Sequence, residues 1–412
     1  MRHHWSRRDW LQAGIAGSCG ALAASLAGGQ ETAETERPSG LTITAVETFP
    51  LRHQMDRAIG PSVAYSNVRE ALLVKISTDS GLVGWGETAD VGGTHGIIEE
   101  HLKRVVLGQN PLEHRKLWNA LWGPNFGDGR AVAGVDMALH DLRGKALGLS
   151  VADMYGGRVR DKVMVYAAAM NYVEGEDPER QHPPEAADLA KRGYLAMKIR
   201  TGRYGFRKDL AVMRKIREAV GPEVRLLTDG NGGFTLPQAV KFGKELEKLD
   251  FYCFEEPLPQ SPDYAGYDEL ADSLDIGIAG GEVLDSRATA RDHILKRSFD
   301  IIQPDVSLCG GIAEVLFICE MARLFSIQPL PHCWAGALVM AATLQVLSVL
   351  PPHFLGSTIG DEPMLEFDTY ENPFRDEITT ARFDPQDGYT AIPTGPGLGI
   401  EIDEDAVRRY VV

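Results

Sequence analysis

Three short apolar segments in the middle of the chain each end in a carboxylate, and their spacing constrains the fold more than any other feature. The segments end at Asp229, Glu255 and Glu282, so the acids lie 26 and 27 residues apart, with helical patterns between them. One strand, one helix and two loops occupy about 30 residues. The spacing therefore predicts that each acid lies at the C-terminal end of a successive parallel strand, where βα units place their chemistry.

Three carboxylates at one edge of a sheet repel one another unless a cation lies between them. A hard divalent cation with oxygen ligands relieves this repulsion, and Mg²⁺ is the simplest candidate. We therefore predict that Asp229, Glu255 and Glu282 bind Mg²⁺. The alternative is that each acid only caps the helix that follows it. Capping readily explains one acid at a strand end, but it explains three acids in consecutive units less well.

Strand and helix patterns alternate between residues 161 and 358. Seven segments are predicted as strands, namely Val163–Ala169, Leu195–Arg200, Val224–Thr228, Phe251–Phe254, Ile276–Ala279, Ile301–Gln303 and Ile327–Leu330. Seven repeats favour an α/β fold with a (β/α)7β TIM-like barrel. A doubly wound sheet is disfavoured because the chain contains no convincing dinucleotide fingerprint or P-loop.

The residues on either side of this region predict a second, capping domain. Residues 41–160 have an α+β pattern, with three β-like runs and a turn signal at Thr78–Gly81 before three helical patterns. Residues 359–412 are expected to pack back on this domain. The stretch from Arg52 to Tyr65 has no clear periodicity and is long for a hairpin, which indicates a functional or a disordered loop.

The first thirty residues resemble an export signal. Ser6-Arg7-Arg8-Asp9-Trp10-Leu11 resembles a twin-arginine motif, and the Ala- and Gly-rich run after it is too short for a secure membrane span. We predict a twin-arginine-type signal peptide over residues 1–30, a linker over residues 31–40, and a periplasmic or extracellular protein. The alternative is an uncleaved, disordered tail.

Composition excludes several classes of partner and site. The 412-residue chain has a net charge of −16, which argues against nucleic acid as a partner. An anionic substrate must then be held by local positive charge, such as a metal ion. The five cysteines show no spacing typical of a zinc site or a disulfide framework.

Two further strand ends carry an acid and a base. Asp305 and His332 lie 27 residues apart at the ends of successive predicted strands. Neighbouring barrel strands can place this carboxylate against the imidazole, which fixes the tautomer and raises the basicity of the other ring nitrogen. We predict that His332 is a general base or acid facing the metal, with a purely structural His–Asp pair as the alternative.

Lys198 and Arg200 lie two residues apart on one predicted strand, so both point to the same face. If that face is the barrel interior, two cations lie near a metal-bound substrate. A lysine beside another cation and a metal can have its pKa lowered enough to act as a base, whereas an arginine stays protonated.

Together these residues resemble the enolase superfamily, specifically its mandelate racemase branch. The resemblance covers residues 41–412 and includes Gly81-Leu-Val-Gly-Trp-Gly-Glu87, the run from Val135 to Gly148, and Phe-Glu-Glu-Pro at residues 254–257. It implies the same metal ligands and His–Asp pair, places Asn231 near the substrate, and implies a mobile loop at Arg52–Tyr65 that closes over the barrel. Homo-oligomers are common in the family, so a homo-oligomer is expected.

The resemblance implies one partial reaction, in which a base removes the proton α to a carboxylate while Mg²⁺ stabilises the enediolate. Arg200 occupies the place where the branch commonly has a second lysine base, which argues against symmetric proton transfer. Leu308 replaces the lysine used in the muconate-lactonising branch, and no glutamate is found for strand eight in Phe354–Ser357.

We therefore expect an Mg²⁺-dependent lyase that dehydrates a sugar acid. His332 is the base, Arg200 positions the carboxylate, and Lys198 is electrostatic or a second acid/base. The alternatives are an epimerase or racemase, a cycloisomerase that opens a lactone or anhydro ring, and, of another class, an inactive protein that binds acid sugars. The sugar is not identified, because specificity depends on the capping loops.

Overall fold

The structure, a computed structural model, describes residues 41–123, 127–260, 264–352 and 363–412. The predicted signal peptide, the predicted linker and the segment expected to hold strand eight, Phe354–Ser357, lie outside these residues. Two β-sheets, one of four strands and one of nine, organise the described part of the chain. No helix within the described ranges is long and apolar enough to cross a membrane.

The four-stranded sheet is antiparallel and has the order β3-β2-β1-β5. Its strands are β1 (Ile43–Gly60), β2 (Ser66–Thr78), β3 (Val83–Thr88) and β5 (Tyr172–Val173). The predicted turn joins β2 to β3, and the Thr78 amide donates a 3.0 Å hydrogen bond to the Leu82 carbonyl across it.

The segment from Arg52 to Tyr65, expected to be irregular, is mostly strand. β1 continues through Gly60 and pairs with β2, so residues 61–65 alone form the connection. The pairing register shifts between Gln54 and Ile59. A shift of this kind interrupts the period-two alternation of a strand, which explains why the sequence pattern concealed it.

Helices cover one face of the antiparallel sheet and form the cap. They are α1 (Thr94–Ile97), a π-turn (Ile98–Leu102), α2 (Lys103–Val106), α3 (His114–Trp122), α4 (Gly129–Leu147) and α5 (Val151–Met154). The Asp128 side chain caps the start of α4 by accepting a hydrogen bond from the Ala131 amide at 2.9 Å. A Cβ at Gly86 would lie 2.1 Å from the Gly134 carbonyl oxygen, so glycine at this position lets β3 pack directly on α4.

The nine-stranded sheet is a curled parallel sheet of eight strands with one antiparallel strand at its side. Its strands are β4 (Lys162–Ala168), β6 (Ala196–Arg200), β7 (Arg225–Asp229), β8 (Phe251–Glu255), β9 (Gly277–Gly280), β10 (Ile301–Ile302), β11 (Gln328–Pro329), β12 (Met364–Asp368) and β13 (Tyr389–Ala391). The order is β11-β10-β9-β8-β7-β6-β4-β12, and β13 pairs antiparallel with β4. Each of the seven predicted strands overlaps one of these, so the predicted fold class is confirmed.

Helices follow the parallel strands in the order expected of βα units. They are α6 (Pro178–Lys191), α7 (Phe206–Val220), α8 (Leu236–Glu247), α9 (Tyr267–Ser273), α10 (Arg287–Lys296), α11 (Ile312–Leu324) and α12 (Ala337–Val349). The carboxyl ends of the strands therefore meet at one edge of the sheet, which faces the cap.

The last parallel strand, β12, lies within the segment expected to belong wholly to the capping domain, residues 359–412. It pairs in parallel with β4, from Met364 opposite Met164 to Asp368 opposite Ala168. The predicted barrel boundary at residue 358 therefore falls before this strand. The connection after α12 is longer than those between the earlier units, so extrapolating their spacing placed strand eight too early.

The rest of the C-terminal segment returns to the antiparallel sheet. It contains α13 (Pro373–Asp376) and α14 (Glu404–Arg408). At the end of the chain the Val412 amide donates a 3.0 Å hydrogen bond to the Pro50 carbonyl of β1. The cap is therefore built from residues near both ends of the described chain.

Candidate active site

A cavity of about 390 Å³ lies between the carboxyl ends of the parallel strands and the cap strands β1 and β2. The predicted site residues that line it are Arg200, Asn231, Glu282, Asp305 and His332. Lys198, Asp229 and Glu255 lie beneath it and are fully buried. The structure thus brings residues from six successive strand ends to one place.

Lys198 is held by carboxylates below the cavity. Its Nζ lies 2.7 Å from Glu255 Oε1, 2.6 Å from Glu366 Oε1 and 3.7 Å from Asp229 Oδ2. Burial by itself would lower the pKa of Lys198, but these three negative charges outweigh burial and raise the pKa above its ordinary value. The carboxylates around this amine suit the electrostatic role predicted for Lys198, and its alternative role as a second acid/base stays a prediction.

Arg200 lies beside Lys198 and reaches the cavity. Its guanidinium forms an ion pair with Asp229, its Nε donates to Asn171 Oδ1 at 3.2 Å, and an Nη donates to Asn231 Oδ1 at 3.2 Å. Burial lowers the pKa of Arg200, but the charge of Asp229 outweighs burial and raises the pKa above its ordinary value. Its guanidinium carbon also lies 5.2 Å from the ring centroid of Trp334, which fixes its position at the cavity wall.

His332 and Asp305 form a direct pair at the cavity. Nδ1 of His332 lies 2.6 Å from Asp305 Oδ2, and the amide and hydroxyl of Ser307 each donate to Asp305 Oδ1 at 2.6 Å. The carboxylate accepts the Nδ1 hydrogen, which leaves Nε2 directed at Glu282 Oε2, 3.3 Å away. Burial lowers the pKa of His332, but the charges of Glu282, Glu366 and Asp305 outweigh it and raise the pKa to about 10.

Glu366 on β12 is a site residue that the sequence analysis missed. It contacts Lys198 through Oε1 and accepts a 3.0 Å hydrogen bond from the Tyr166 hydroxyl through Oε2. Burial raises its pKa, but Lys198 and His332 outweigh burial and lower the pKa to about 2. The alternating pattern Met364-Leu-Glu-Phe-Asp368 after a proline was the available signal for a strand with an inward-facing acid.

The acids predicted to bind metal lie in an environment with excess negative charge. Burial and the charge of Asp229 raise the pKa of Glu255 to about 7, against the lowering effect of Lys198. The neighbouring Glu256 is buried, and neither carboxylate oxygen has a hydrogen-bond partner among the described residues. Burial and the charge of Glu282 raise the pKa of Glu256 well above its ordinary value. Lys198 and Gln303 donate to the two oxygens of Glu255, so the unpartnered oxygens belong to Glu256. These oxygens and the surrounding negative charge fit a hard divalent cation.

The three predicted ligands do not form a tight oxygen cluster in this structure. Lys198 Nζ lies against two of them, Asp229 and Glu255. Among the described residues, one group of potential metal ligands has its ligand atoms within 4.8 Å of one another. It lies in the cap and consists of His114, Asp136 and His140. Both nitrogens of His140 are already engaged there, Nδ1 with the Asp136 carbonyl at 2.8 Å and Nε2 with the Tyr155 hydroxyl at 2.7 Å. Mg²⁺ prefers oxygen ligands, so this group is not the predicted magnesium site.

Glu87 of β3 joins the cap to the barrel at the cavity wall. It accepts hydrogen bonds from the Gly336 amide at 2.6 Å and the Val339 amide at 3.3 Å, at the start of α12. Burial raises the pKa of Glu87 to about 7 against the lowering effect of these amides. The Gly-Trp-Gly-Glu motif therefore connects the antiparallel sheet of the cap to the barrel helix α12 at the site.

The connection over residues 61–65 covers one side of the cavity and is bound to two barrel loops. The Ser62 hydroxyl donates to the Gly230 carbonyl at 2.7 Å, and Arg203 donates to the carbonyls of Pro61 and Ser62 at 3.1 Å each. The Arg203 guanidinium also lies 3.6 Å from the ring centroid of Tyr65. We call residues 61–65 the cap turn.

Comparison with known protein families identifies the class. Residues 45–156 match the mandelate racemase / muconate lactonizing enzyme N-terminal domain, and residues 184–406 match the enolase C-terminal domain-like family. The chain therefore belongs to the enolase superfamily, as the sequence motifs predicted. It is an enzyme of that superfamily, a lyase or an isomerase.

Individual relatives cover nearly the whole of the described chain. D-galactarolactone cycloisomerase of Agrobacterium fabrum is 33% identical over 377 residues, which cover 90% of this chain and 99% of the relative. Arabinonate dehydratase of Saccharolobus solfataricus is 30% identical over 351 residues, covering 83% of this chain and 90% of the relative. The crystal structure of 3,6-anhydro-D-galactonate cycloisomerase from Zobellia galactanivorans matches with a TM-score of 0.79 and 29% identity, over 90% of this chain and 99% of that one.

Proposed function

We propose that this protein is an Mg²⁺-dependent lyase that removes the proton α to the carboxylate of a sugar acid and expels a β-hydroxyl group as water. One observation carries the proposal. Of the predicted acid–base groups, His332 combines a place on the cavity wall with a carboxylate behind its imidazole, whereas Lys198 is buried and Arg200 is ion-paired. A single base suits one-directional elimination better than symmetric racemisation.

Asp229, Glu255 and Glu282 are the residues that would hold Mg²⁺. The bound ion supplies positive charge that stabilises the negative charge developing on the substrate carboxylate. The raised pKa of Glu255 and the unpartnered oxygens of Glu256 support a cation at this place, because both reflect uncompensated negative charge.

Arg200 and Asn231 are positioned to hold the substrate carboxylate. Both line the cavity, and the hydrogen bond between them fixes the direction of the guanidinium. Lys198 acts electrostatically, since it compensates buried carboxylates and does not reach the cavity wall.

His332 carries out both proton transfers. Asp305 holds the hydrogen of Nδ1, so Nε2 is the nitrogen that takes the α-proton as the C–H bond breaks. A cation held by Glu282 would offset the charge that raises the pKa of His332 most, and would thereby leave Nε2 unprotonated. The electron pair of that bond forms the new C=C bond as the β-C–O bond breaks. The imidazolium then gives its proton to the leaving oxygen, which departs as water, and the enol product tautomerises to a 2-keto acid.

A second reaction is supported by the relatives. Both D-galactarolactone cycloisomerase and 3,6-anhydro-D-galactonate cycloisomerase are covered over 99% of their length. If the leaving oxygen belongs to a ring, the same elimination opens the ring and no water is lost. The arrangement around His332 serves either leaving group, so cycloisomerisation is the second candidate function.

A screen of acid sugars and their lactones with Mg²⁺ in D₂O tests both reactions. Dehydration gives a 2-keto-3-deoxy product lighter than the substrate by one water, whereas cycloisomerisation gives a product of unchanged composition. Deuterium at the α-carbon of recovered substrate would instead indicate epimerisation. Tight binding of an acid sugar without turnover, undiminished by His332→Asn, would contradict the proposal and indicate an inactive binding protein.

We also propose that residues 1–30 direct twin-arginine export to a periplasmic or extracellular location, and that the enzyme is a homo-oligomer. The adjacent Arg7 and Arg8 support the first proposal, and family resemblance supports the second. Changing both arginines to lysine should retain the protein in the cytoplasm on cell fractionation. Light scattering coupled to gel filtration measures the oligomeric state.

A further inference from the structure

A second cavity, of about 630 Å³, lies where the cap meets the barrel helices α10 and α11. Its walls share no residue with the cavity of the candidate active site. Its lining includes four cations, two acids and two aromatic side chains, namely Arg115, Lys116, Arg143, Arg287, Glu113, Glu320, Tyr155 and Phe317. We call this space the junction cavity.

Two of the four cations in the junction cavity form no ion pair, although the carboxylate of Glu320 also lines it. Lys116 Nζ lies 2.7 Å from Glu113, and Arg287 donates to Glu314 at 2.7 Å. Arg115 and Arg143 form no hydrogen bond or ion pair with any residue in the described ranges. Such a local excess of positive charge is notable in a chain whose net charge is −16.

Arg143 is the more informative of the two because it is half-buried. Burial lowers the pKa of its guanidinium, and the charges of Tyr155 and Asp136 raise it too little to compensate. A cation withdrawn from water without a partner is unfavourable, and an anion entering the cavity would remove that penalty.

The wall around Arg143 is held rigidly. The Tyr155 hydroxyl lies 2.7 Å from His140 Nε2, and Asp136 Oδ1 lies 2.9 Å from His114 Nε2. A Cβ at Gly311, just before α11, would lie 2.2 Å from Asp136 Oδ2. The Asp136 side chain of the cap therefore packs directly on the backbone of the barrel. This part of the cavity wall therefore rearranges little when a ligand binds, although Arg115 and Arg143 must themselves become ordered.

We propose that the junction cavity binds a small oxyanion, a phosphate or a carboxylate, through Arg143 and Arg115. The planar guanidinium matches two oxygens of either group, which a lysine does not. The volume is within the range of small-molecule sites, so the anionic group can carry an organic body. Phe317, 42% exposed and 4.1 Å from the Arg287 guanidinium, provides an apolar surface for that body.

Calorimetric titration of the full-length, Mg²⁺-loaded protein tests the proposal, with sodium phosphate and sodium D-galactonate as separate probes. Binding of phosphate identifies a free oxyanion as sufficient, whereas binding of galactonate alone assigns the site to an organic acid. Arg143→Gln should weaken binding by about tenfold or more, the loss expected for one charge-assisted hydrogen-bonded pair. Arg180→Gln, an exposed arginine on α6, is the matched control and should leave affinity unchanged.

Two further variants make the result decisive. Arg115→Gln removes the exposed member of the pair and should weaken binding even if Arg143→Gln fails to fold, which circular dichroism would reveal. Arg200→Gln should not affect binding of the probe that Arg143→Gln weakens. The proposal is overturned if neither probe binds, if both junction variants bind as the wild type does, or if Arg200→Gln alone abolishes binding.

Discussion

Nδ1 of His332 lies 2.6 Å from Oδ2 of Asp305, and the two residues follow neighbouring parallel strands 27 positions apart in the chain. The opposite oxygen of Asp305 accepts two hydrogen bonds from Ser307, so the carboxylate cannot rotate freely. The orientation of the proposed base is therefore set by two residues of one loop, Asp305 directly and Ser307 through Asp305.

Asp305→Asn should lower kcat by about 10²–10⁴-fold, because an amide can donate to Nδ1 and leave the hydrogen on Nε2. Ser307→Ala is the matched control and should have a much smaller effect, since it removes one donor to Asp305 and keeps the carboxylate. Steady-state kinetics with the substrate found in the acid-sugar screen measures both variants. Equal kcat for wild type and Asp305→Asn would exclude an orienting role.

Removal of divalent metal should abolish turnover and lower the thermal stability, because the acids at positions 229, 255 and 282 would then repel one another without compensation. Exhaustive dialysis against a chelator followed by a thermal melt and an activity assay tests this. Readdition of Mg²⁺ should restore both properties. An enzyme that retains full activity after chelation would contradict the proposed metal site.

Lys198→Met should destabilise the fold by about 3–5 kcal/mol, because it leaves the buried carboxylates of Glu255 and Glu366 without a cation. Urea unfolding measures the free energy difference. Lys191→Met, an exposed lysine on α6, is the control and should change stability little. If added Mg²⁺ recovers part of the loss in Lys198→Met, the metal and the lysine compensate the same acids.

Glu87 should make the protein less stable as the pH rises. Its pKa is about 7 in the folded protein and 4.5 in its ordinary state, so the folded protein binds this proton more tightly than the unfolded chain. The resulting stability is complete below pH 4.5 and is lost as the pH rises through 7, a change of about 3 kcal/mol. Glu87→Gln stays neutral, so its free energy of unfolding should depend less steeply on pH.

Urea unfolding of wild type, Glu87→Gln and the exposed control Glu223→Gln at pH 5 and pH 8 measures this difference. Parallel behaviour of wild type and Glu87→Gln would show that the Glu87 carboxyl does not titrate between these values.

Much of the fold was predictable because βα units repeat with an even period and place apolar runs before polar strand ends. The positions of Asp229, Glu255 and Asp305 followed from that period. Glu366 did not, because the long connection after α12 breaks the even spacing. The contact between Lys198 and Glu366 could not be predicted for the same reason.

The extent of β1 was hidden for a different physical reason. A register shift removes the alternation by which a strand is recognised, and the long strand through Gly60 was therefore expected to be a loop. Contacts made across space, such as Glu87 with the start of α12, have no local signal in the sequence at all.

The cap turn is joined to the barrel by the Ser62 and Arg203 hydrogen bonds and by the contact of Arg203 with Tyr65, and none of these is a strand-pairing bond of either sheet. They can therefore break while both sheets stay intact, which is a local opening of small free energy. The rate at which ligands reach His332 and leave it is then decoupled from global stability. In a variant such as Ser62→Ala, substrate should bind faster and intermediates should dissociate faster, while the melting temperature stays unchanged.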